Sequence, residues 1–285
     1  MIKLSKNEQT NIVRTDIDMM EQYCLQKEQV ECSVYHRFGP GIYIREVHIP
    51  ASTFAIGHHQ KYEHVNIMLK GQVSMLNEDG TTSELQAPFF YIGKPGRKMG
   101  YIHEDVVWQN IYATDERDIE KLEAHYLDKS EYWIANKILH DKANWYRHEN
   151  DRNDYNNVLM EIDIPDDIAR QQTENELDQI YIPIDNYKIK ISDSPIEGKG
   201  LFATANIEND EVIAPARIGE KRTFAGRFTN HSINPNAKMI RCINGDIDLI
   251  AIKQIVGCRG GYDGDEITIN YRQAIALVRE ALCQQ

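Results

Sequence analysis

In its C-terminal third the chain reads Arg227-Phe228-Thr229-Asn230-His231-Ser232-Ile233-Asn234-Pro235-Asn236, a stretch that we call the central segment. Pro235, between two asparagines, predicts a tight turn at its end. A glycine segment precedes it and a tyrosine segment follows it. They read Gly198-Lys199-Gly200-Leu201-Phe202-Ala203 and Gly264-Asp265-Glu266-Ile267-Thr268-Ile269-Asn270-Tyr271. Each segment alone predicts no more than a turn or a strand, so the information lies in their order.

The three segments, in this order, resemble the signature of the SET-domain protein methyltransferases. The resemblance implies a SET-domain β-fold over residues 181–285, with a short helical tail, and S-adenosylmethionine as the cofactor. It implies that Lys199, Gly200, Asn230 and His231 contact the cofactor. Tyr271 would be the catalytic residue and would also contact the cofactor.

Methyl transfer to a lysine needs a neutral amine, whereas a lysine side chain has a pKa of about 10.4 in water. The site must therefore lower that pKa by desolvation and by the positive sulfonium of the cofactor. By the resemblance, Tyr271 orients the lysine nitrogen and helps to release its proton, and Glu266 has a structural role. The interval between Phe202 and Asn230 is short for this family. Residues 255–263 look like an extension whose Tyr262 is expected to fold over the site.

The N-terminal part of the chain alternates apolar and polar residues over 42–50 and 65–76, which predicts β-strands. The turn residues Asn77-Glu78-Asp79-Gly80 then predict a hairpin. Ahead of Gly71, the run Gly57-His58-His59-Gln60-Lys61-Tyr62-Glu63-His64 looks like the first motif of the cupin fold, and Pro95-Gly96 with His103 looks like a worn second motif. We therefore predict a cupin-like β-barrel. Its layout also resembles a region found in phage-encoded proteins.

Cupins typically hold a metal with three histidines and a carboxylate, and such a ligand set suits iron, manganese, nickel or zinc. His58 or His59, with His64 and His103, are the candidates here. The ligand set is incomplete because Gln60 stands where the family has its second histidine, and His64 where it has its glutamate. We therefore expect no metal, and a domain that serves as a scaffold or oligomerisation module.

Composition bears on the location of the protein, the state of its cysteines and its partners. The 285 residues are 41% hydrophobic and lack both a membrane-length apolar run and a signal sequence, which favours a cytoplasmic protein, or one of the host cytoplasm or virion if viral. Five scattered cysteines without a C-x-x-C pair argue against disulfides and structural zinc. The net charge of -12 argues against nucleic-acid binding.

We predict a mainly β protein with helical connectors (α+β). The expected parts are a cupin-like domain with an N-terminal helix over 1–125, a helical and polar connector over 126–180, and the SET domain over 181–285. The expected activity is S-adenosylmethionine-dependent N-methylation of a protein lysine, with no nucleic-acid or membrane partner and with homo-oligomers formed through the N-terminal domain. Two alternatives remain open: a non-catalytic structural or regulatory protein, virion-associated if viral, and a metal-dependent cupin enzyme. The target, the number of methyl groups added and the oligomeric state stay open.

Overall fold

The computed structural model describes residues 2–3, 17–76 and 81–282. The chain forms two compact units: unit 1 comprises Met1–His140 and Gly257–Asp263, and unit 2 comprises Asp141–Val256 and Gly264–Gln285. The predicted mainly β architecture with helices is confirmed. The boundaries expected at 125 and 180 differ from this division. No helix in the described ranges is long and apolar enough to cross a membrane.

Unit 1 is built mainly from strands. Its elements are β1 (Ile2–Lys3), α1 (Ile17–Leu25), β2 (Val34–Gly39), β3 (Ile42–Ile49), β4 (Thr53–Ile56), β5 (His59–Gln60), β6 (His64–Leu76), β7 (Thr82–Gln86), β8 (Phe89–Gly93), β9 (Met99–Ala113), α2 (Ile119–Tyr126), β10 (Leu127–Asp128) and the first part of α3 (Glu131–Arg147).

Two long antiparallel strands, β6 and β9, each contribute to two layers of unit 1. In the first layer the order is β2-β3-β9-β6-β8, with residues 106–113 of β9 and 64–68 of β6. In the second the order is β1-β4-β9-β6-β7, with residues 99–102 and 72–76 of the same two strands. Strands that pass from one sheet to another in this way form the corners of β-sandwiches.

The bend in β6 coincides with shifts in its register against β9 between Met68 and Val73. Gly71 lies in this bend with φ +94°, a conformation that favours glycine. A Cβ atom on Gly71 would lie 2.4 Å from the carbonyl oxygen of Asp105. The glycine therefore permits the close approach of β6 and β9 where the two layers diverge.

The predicted closed barrel is wrong. Among the described strands, neither β1 nor β2 pairs with β7 or β8. The two layers share β6 and β9, and each layer has two edge strands in the part of the chain that the structure describes. The predicted hairpin strands β6 and β7 pair antiparallel, while its turn at 77–80 lies outside the described residues. The helix predicted over 12–30 is α1, and residues 12–16 also lie outside.

Unit 2 contains the second part of α3 and two four-stranded sheets, β11-β12-β18-β15 and β14-β13-β17-β16. Its elements are α4 (Glu149–Glu161), α5 (Asp166–Glu174), the 3-10 turns Glu176–Asp178 and Ile184–Asn186, β11 (Ile189–Asp193), β12 (Lys199–Ala203), β13 (Val212–Ile218), β14 (Lys221–Arg222), α6 (Phe224–Phe228), β15 (Asn230–His231), β16 (Ala237–Arg241), β17 (Ile247–Ala251), β18 (Glu266–Ile269) and α7 (Tyr271–Leu282).

One apolar core holds unit 2 together. Leu201, Leu249 and Ile267, from three different strands, are fully buried in it. The polar stretch over 149–180, expected to connect two domains, instead forms α4 and α5 within this unit. In α4 the buried side chains are Asp151, Val158 and Leu159, which lie on one helical stripe. A stripe this narrow leaves the overall composition polar, which explains why a connector was predicted.

Candidate functional site

The central segment lies beside the tyrosine segment. Strand β15 pairs parallel with β18, so that Asn230 is opposite Thr268 and His231 is opposite Ile269. Both Asn230 and His231 are buried. The parallel pairing brings together two segments whose proximity the sequence resemblance implied.

Asn236, after the turn at Pro235, extends this contact with its side chain. Its Nδ2 donates to the carbonyl oxygen of Glu266 at 2.8 Å, and its Oδ1 accepts from the backbone N–H of Thr268 at 2.8 Å. The amide thus pairs both a donor and an acceptor of β18. Removing it would leave buried backbone groups without partners.

Asn230 connects the central segment to the glycine segment. Its Nδ2 lies 2.8 Å from Glu266 Oε1, 3.1 Å from the Glu197 carbonyl oxygen and 3.2 Å from the Lys199 carbonyl oxygen. A Cβ atom on Gly200 would lie 2.3 Å from Glu266 Oε1. Gly200 is therefore required where the backbone passes the carboxylate.

Glu266 accepts hydrogen bonds from two side chains. Ser194 Oγ lies 2.8 and 3.0 Å from its two carboxylate oxygens, next to the bond from Asn230. Burial raises the pKa of Glu266, whereas the hydrogen bonds from Asn230 and Ser194 lower it, and the net direction is upward. The carboxylate thus links the tyrosine segment to Asn230 of the central segment and to Ser194, which precedes the glycine segment.

Tyr271 begins α7 directly after β18. Its hydroxyl donates to the carbonyl oxygen of Thr229 at 3.0 Å, and its backbone N–H donates to His231 Nδ1 at 3.2 Å. Burial raises the pKa of the Tyr271 phenol, so the group stays protonated near neutral pH. The hydroxyl is suited to orient an amine through its oxygen lone pairs but not to take up a proton.

The contacts of His231 define its tautomer. Because Nδ1 accepts from the backbone of Tyr271, the ring proton lies on Nε2, which donates to Asp154 Oδ2 at 2.9 Å. Arg272 binds the same carboxylate at 2.7 and 3.1 Å. The hydrogen bonds from Arg272 and His231 hold the pKa of Asp154 well below its usual range.

A second aspartate of α4 binds the residues that follow His231. Asp151 Oδ1 accepts from Ser232 Oγ at 2.8 Å and from the backbone N–H of Ile233 at 2.9 Å. Sequence reasoning missed both aspartates, since it treated their region as a connector. The available signal was the spacing of His148, Asp151 and Asp154 at every third residue, which places them on one face of a helix.

The predicted site residues Lys199, Gly200, Asn230, His231 and Tyr271 thus lie in one connected network of unit 2. They fit S-adenosylmethionine only in part. The backbone at Gly198, with φ +53°, leaves open space where a Cβ would be, next to Lys199. The side-chain N–H groups of Asn230 and His231, however, already donate to protein acceptors. We therefore derive no chemical step through the cofactor.

The histidines of unit 1 do not form a shared site. His64 contacts the Tyr62 carbonyl oxygen at 3.0 Å and Lys98 Nζ at 3.4 Å, whereas His103 lies 2.5 Å from Ser74 Oγ. His58 packs edge-on against the ring of Trp133. In the ranges that the structure describes, no three His, Cys, Asp or Glu side chains are grouped to hold a metal.

Tyr262 was expected to fold over the site of Asn230 and Tyr271. It belongs to unit 1, where its hydroxyl lies 2.5 Å from Asn136 Oδ1 and its ring stacks on Trp133. The extension that carries Tyr262 is thus part of the N-terminal unit. Phe90 is 67% exposed and Phe89 is 38% exposed.

No protein-family model matches the chain, and no curated protein matches it. The solved structures similar to its N-terminal part are cupin domains. A cupin domain from Bordetella pertussis has a TM-score of 0.26 and 15% identity, with 31% of this chain and 98% of that chain covered. A cupin-2 domain protein from Shewanella frigidimarina has a TM-score of 0.24 and 15% identity, covering 37% and 97%. The cupin domain of Cnp3 from Schizosaccharomyces pombe has a TM-score of 0.25 and 18% identity, covering 36% and 77%. Likeness at this level carries no inference about family or function.

Proposed function

We propose that the chain is a SET-type protein-lysine N-methyltransferase that uses S-adenosylmethionine, with Tyr271 as its catalytic residue. One observation supports the proposal most strongly. Three segments that are far apart in sequence share hydrogen bonds through Asn230 to Lys199 and through His231 to Tyr271. When bound, the cofactor supplies the methyl group and a positive sulfonium. In this proposal the Lys199 and Gly200 backbone would border it, with Asn230 and His231 beside them.

In the reaction, residues of this chain would orient the substrate lysine and exclude water. Tyr271 Oη already donates its proton to the Thr229 carbonyl oxygen, so its lone pairs point elsewhere. A neutral lysine amine could donate to that oxygen and be held in line for attack. The raised pKa of the phenol favours this orienting role over proton abstraction.

The proposal is tested with cell extract, isotopically labelled S-adenosylmethionine and the purified protein, followed by mass spectrometry of labelled peptides. We expect label on lysine, and a loss of turnover of about 100-fold or more in Tyr271→Phe with cofactor affinity retained. The matched control is Tyr126→Phe, which also removes one hydroxyl bond to a backbone carbonyl, that of Ala113, but in unit 1. Equal turnover of the two variants would exclude Tyr271 as the catalytic residue.

A second candidate is a structural or regulatory protein, virion-associated if viral, that keeps a SET-like fold without catalysis. It is favoured by the contacts of α4, since Asp151 and Asp154 occupy polar groups of Ser232, Ile233 and His231. In this case the central segment binds its own helix and has no need of a cofactor.

Cofactor binding separates the two candidates. For the enzyme we expect calorimetric binding of S-adenosylmethionine that is lost in Asn230→Ala. Asn236→Ala is the matched control, because both asparagines are buried and bond to Glu266, while only Asn230 is a proposed cofactor contact. No heat at millimolar cofactor with folded protein would favour the structural role.

A further inference from the structure

Unit 1 contains a cavity of about 180 Å³ that the proposed methyl transfer does not use. Much of its wall is apolar, with Val47, Val73 and Ile102 among the lining residues. A cavity of about 150 Å³ lined by apolar side chains can hold benzene. The space in unit 1 is therefore sufficient for a small organic molecule.

A charged side chain lies at an inward position of this wall. In strand β3, Tyr43 and Val47, two residues before and after Arg45, are both buried. Arg45 lines the cavity, and its Nε is buried without a hydrogen-bond partner among the described residues. No acidic side chain of the described chain forms an ion pair with it. A buried N–H of a charged guanidinium without an acceptor is costly, and a bound anion would remove that cost.

Hydrogen-bond donors also crowd the polar part of the wall. Asn66 is fully buried, and its single Oδ1 receives Lys98 Nζ at 2.9 Å, Trp108 Nε1 at 3.1 Å and Asn110 Nδ2 at 2.9 Å. An amide oxygen has two lone pairs, so three donors exceed its capacity. Across the sheet, Arg45 is opposite Asn110, and Asn110 is opposite Asn66. The donors Arg45 and Asn110 therefore lie in one row across the sheet with Asn66.

Trp133 supplies another hydrogen-bond donor to the cavity wall. Trp133 is 4% exposed, lines the cavity, and has an Nε1 that is buried and without a partner in the described part of the chain. The one acidic lining residue, Glu21, is bound by Arg97 at 2.6 and 3.1 Å. The cavity thus offers cationic and neutral donors without a free carboxylate.

We propose that this cavity binds a small organic carboxylate. Its apolar body would lie against the aliphatic wall, and its two oxygens would accept hydrogen bonds from Arg45 and Lys98. A guanidinium matches the planar geometry of a carboxylate, and charge-assisted bonds of this kind are about twice as strong as neutral ones. The inference rests on unit 1 alone and is independent of the proposed methyl transfer.

Benzoate is the test probe, and benzamide is its neutral counterpart of nearly the same shape. In titration calorimetry with the full chain we expect benzoate to bind at least about tenfold more tightly than benzamide, a difference of about 1.4 kcal/mol. Arg45→Met and Lys98→Met should each weaken benzoate binding by about tenfold or more. Arg37→Met, with a half-exposed side chain on the neighbouring strand β2, is the matched control and should bind like the parent protein.

Folding of the Arg45→Met variant is checked separately by thermal unfolding without ligand. Because methionine removes the buried Nε–H that lacks a partner, we expect its melting temperature to equal or exceed that of the parent protein. Equal affinities for benzoate and benzamide would overturn the proposal. So would the absence of benzoate binding at millimolar concentration, or inorganic phosphate binding as tightly as benzoate.

Discussion

At the residue scale, His231 shows how hydrogen bonds at both ring nitrogens can select one tautomer of a side chain. Its Nδ1 accepts from Tyr271 while its Nε2 donates to Asp154, so only the neutral tautomer satisfies both contacts. Asp154 is the centre of this arrangement, because Arg272 binds the same carboxylate. The ion pair and the ring bond hold α4 to the central segment and to α7.

We expect Asp154→Asn to lower the free energy of unfolding by roughly 1–3 kcal/mol near pH 7, since hydrogen bonds to a charged group are lost. The pKa of Asp154 is lower in the folded than in the unfolded chain, so its stabilisation is present above the unfolded-state pKa of about 4 and is lost as pH falls through the folded-state pKa. The difference between variant and parent should therefore shrink in acid. Urea unfolding at pH 7 and pH 3 measures it, and Asp167→Asn, exposed on α5, is the control.

Lys98 gives a pH-dependent prediction for the carboxylate site. Burial lowers the pKa of Lys98 to about 8 in the free protein, and an anion beside it would favour its charged form. We expect benzoate affinity to be constant near pH 7 and to fall as pH rises above about 8, while Lys98→Met binds weakly and without this dependence. Calorimetry from pH 6.5 to 9.5 would decide. The other charged or titratable groups of the described chain at this cavity include His58, His64, Tyr91, Arg45 and Glu21.

Single residues also show the limits of sequence reasoning. Asn230, His231 and Tyr271 could be selected because a resemblance singles them out, and the structure joins them in one network. Arg45 was overlooked, although a charged residue at an inward position of an alternating strand is a readable signal. The spacing of Asp154 from His148 and Asp151 could have placed it on one helical face, but its contact with His231 is created only by the tertiary fold.

At the scale of elements, the bend shared by β6 and β9 decides the form of unit 1. Alternation predicted β6, but it carried no information on where a strand leaves one layer for the next. The bend depends on register shifts and on one glycine conformation. For the same reason the sequence could indicate a barrel or a sandwich, and the open edges were settled only by the pairing of β1, β2, β7 and β8.

We expect Gly71→Ala to lower the free energy of unfolding by about 1–3 kcal/mol through its backbone conformation alone, with an added cost from the clash with Asp105. Gly39→Ala is the control, because a Cβ at Gly39 meets no atom of the described chain within 4 Å and its φ is not in the left-handed region. Equal stability of the two variants in chemical denaturation would contradict the role of Gly71.

At the scale of the whole molecule, the chain passes between the two units more than once. Residues Gly257–Asp263 belong to unit 1, although in the sequence they lie between β17 and β18 of unit 2. The ends of this insertion are held together, because Asp265 N–H donates to the Val256 carbonyl oxygen at 2.8 Å and Val256 N–H donates to Asp265 Oδ2 at 3.1 Å. Hydrogen bonds within unit 2 therefore hold Val256 next to Asp265 without any contribution from the inserted residues.

We expect replacement of 257–263 by two glycines to damage unit 1 selectively. The variant loses the stack of Tyr262 on Trp133 and the packing of Cys258 against Cys32, Val34 and Val47, and benzoate binding should fall. Hydrogen exchange should show lost protection in β3 and β9, with β13 and β17 protected as in the parent chain. Equal loss of protection in both sets of strands would contradict the self-closure at Val256 and Asp265. A linker of equal length rich in glycine and serine is the control for chain length.

The closure at Val256 and Asp265 has a consequence for how the sequence can change over evolutionary time. Because Val256 and Asp265 are already joined by two hydrogen bonds, insertions or deletions inside 257–263 do not alter the register of unit 2. Selection on these seven positions therefore acts through unit 1, although they lie within the sequence of unit 2. Homologues that keep the glycine, central and tyrosine segments but lack unit 1 are expected to differ in length at this point.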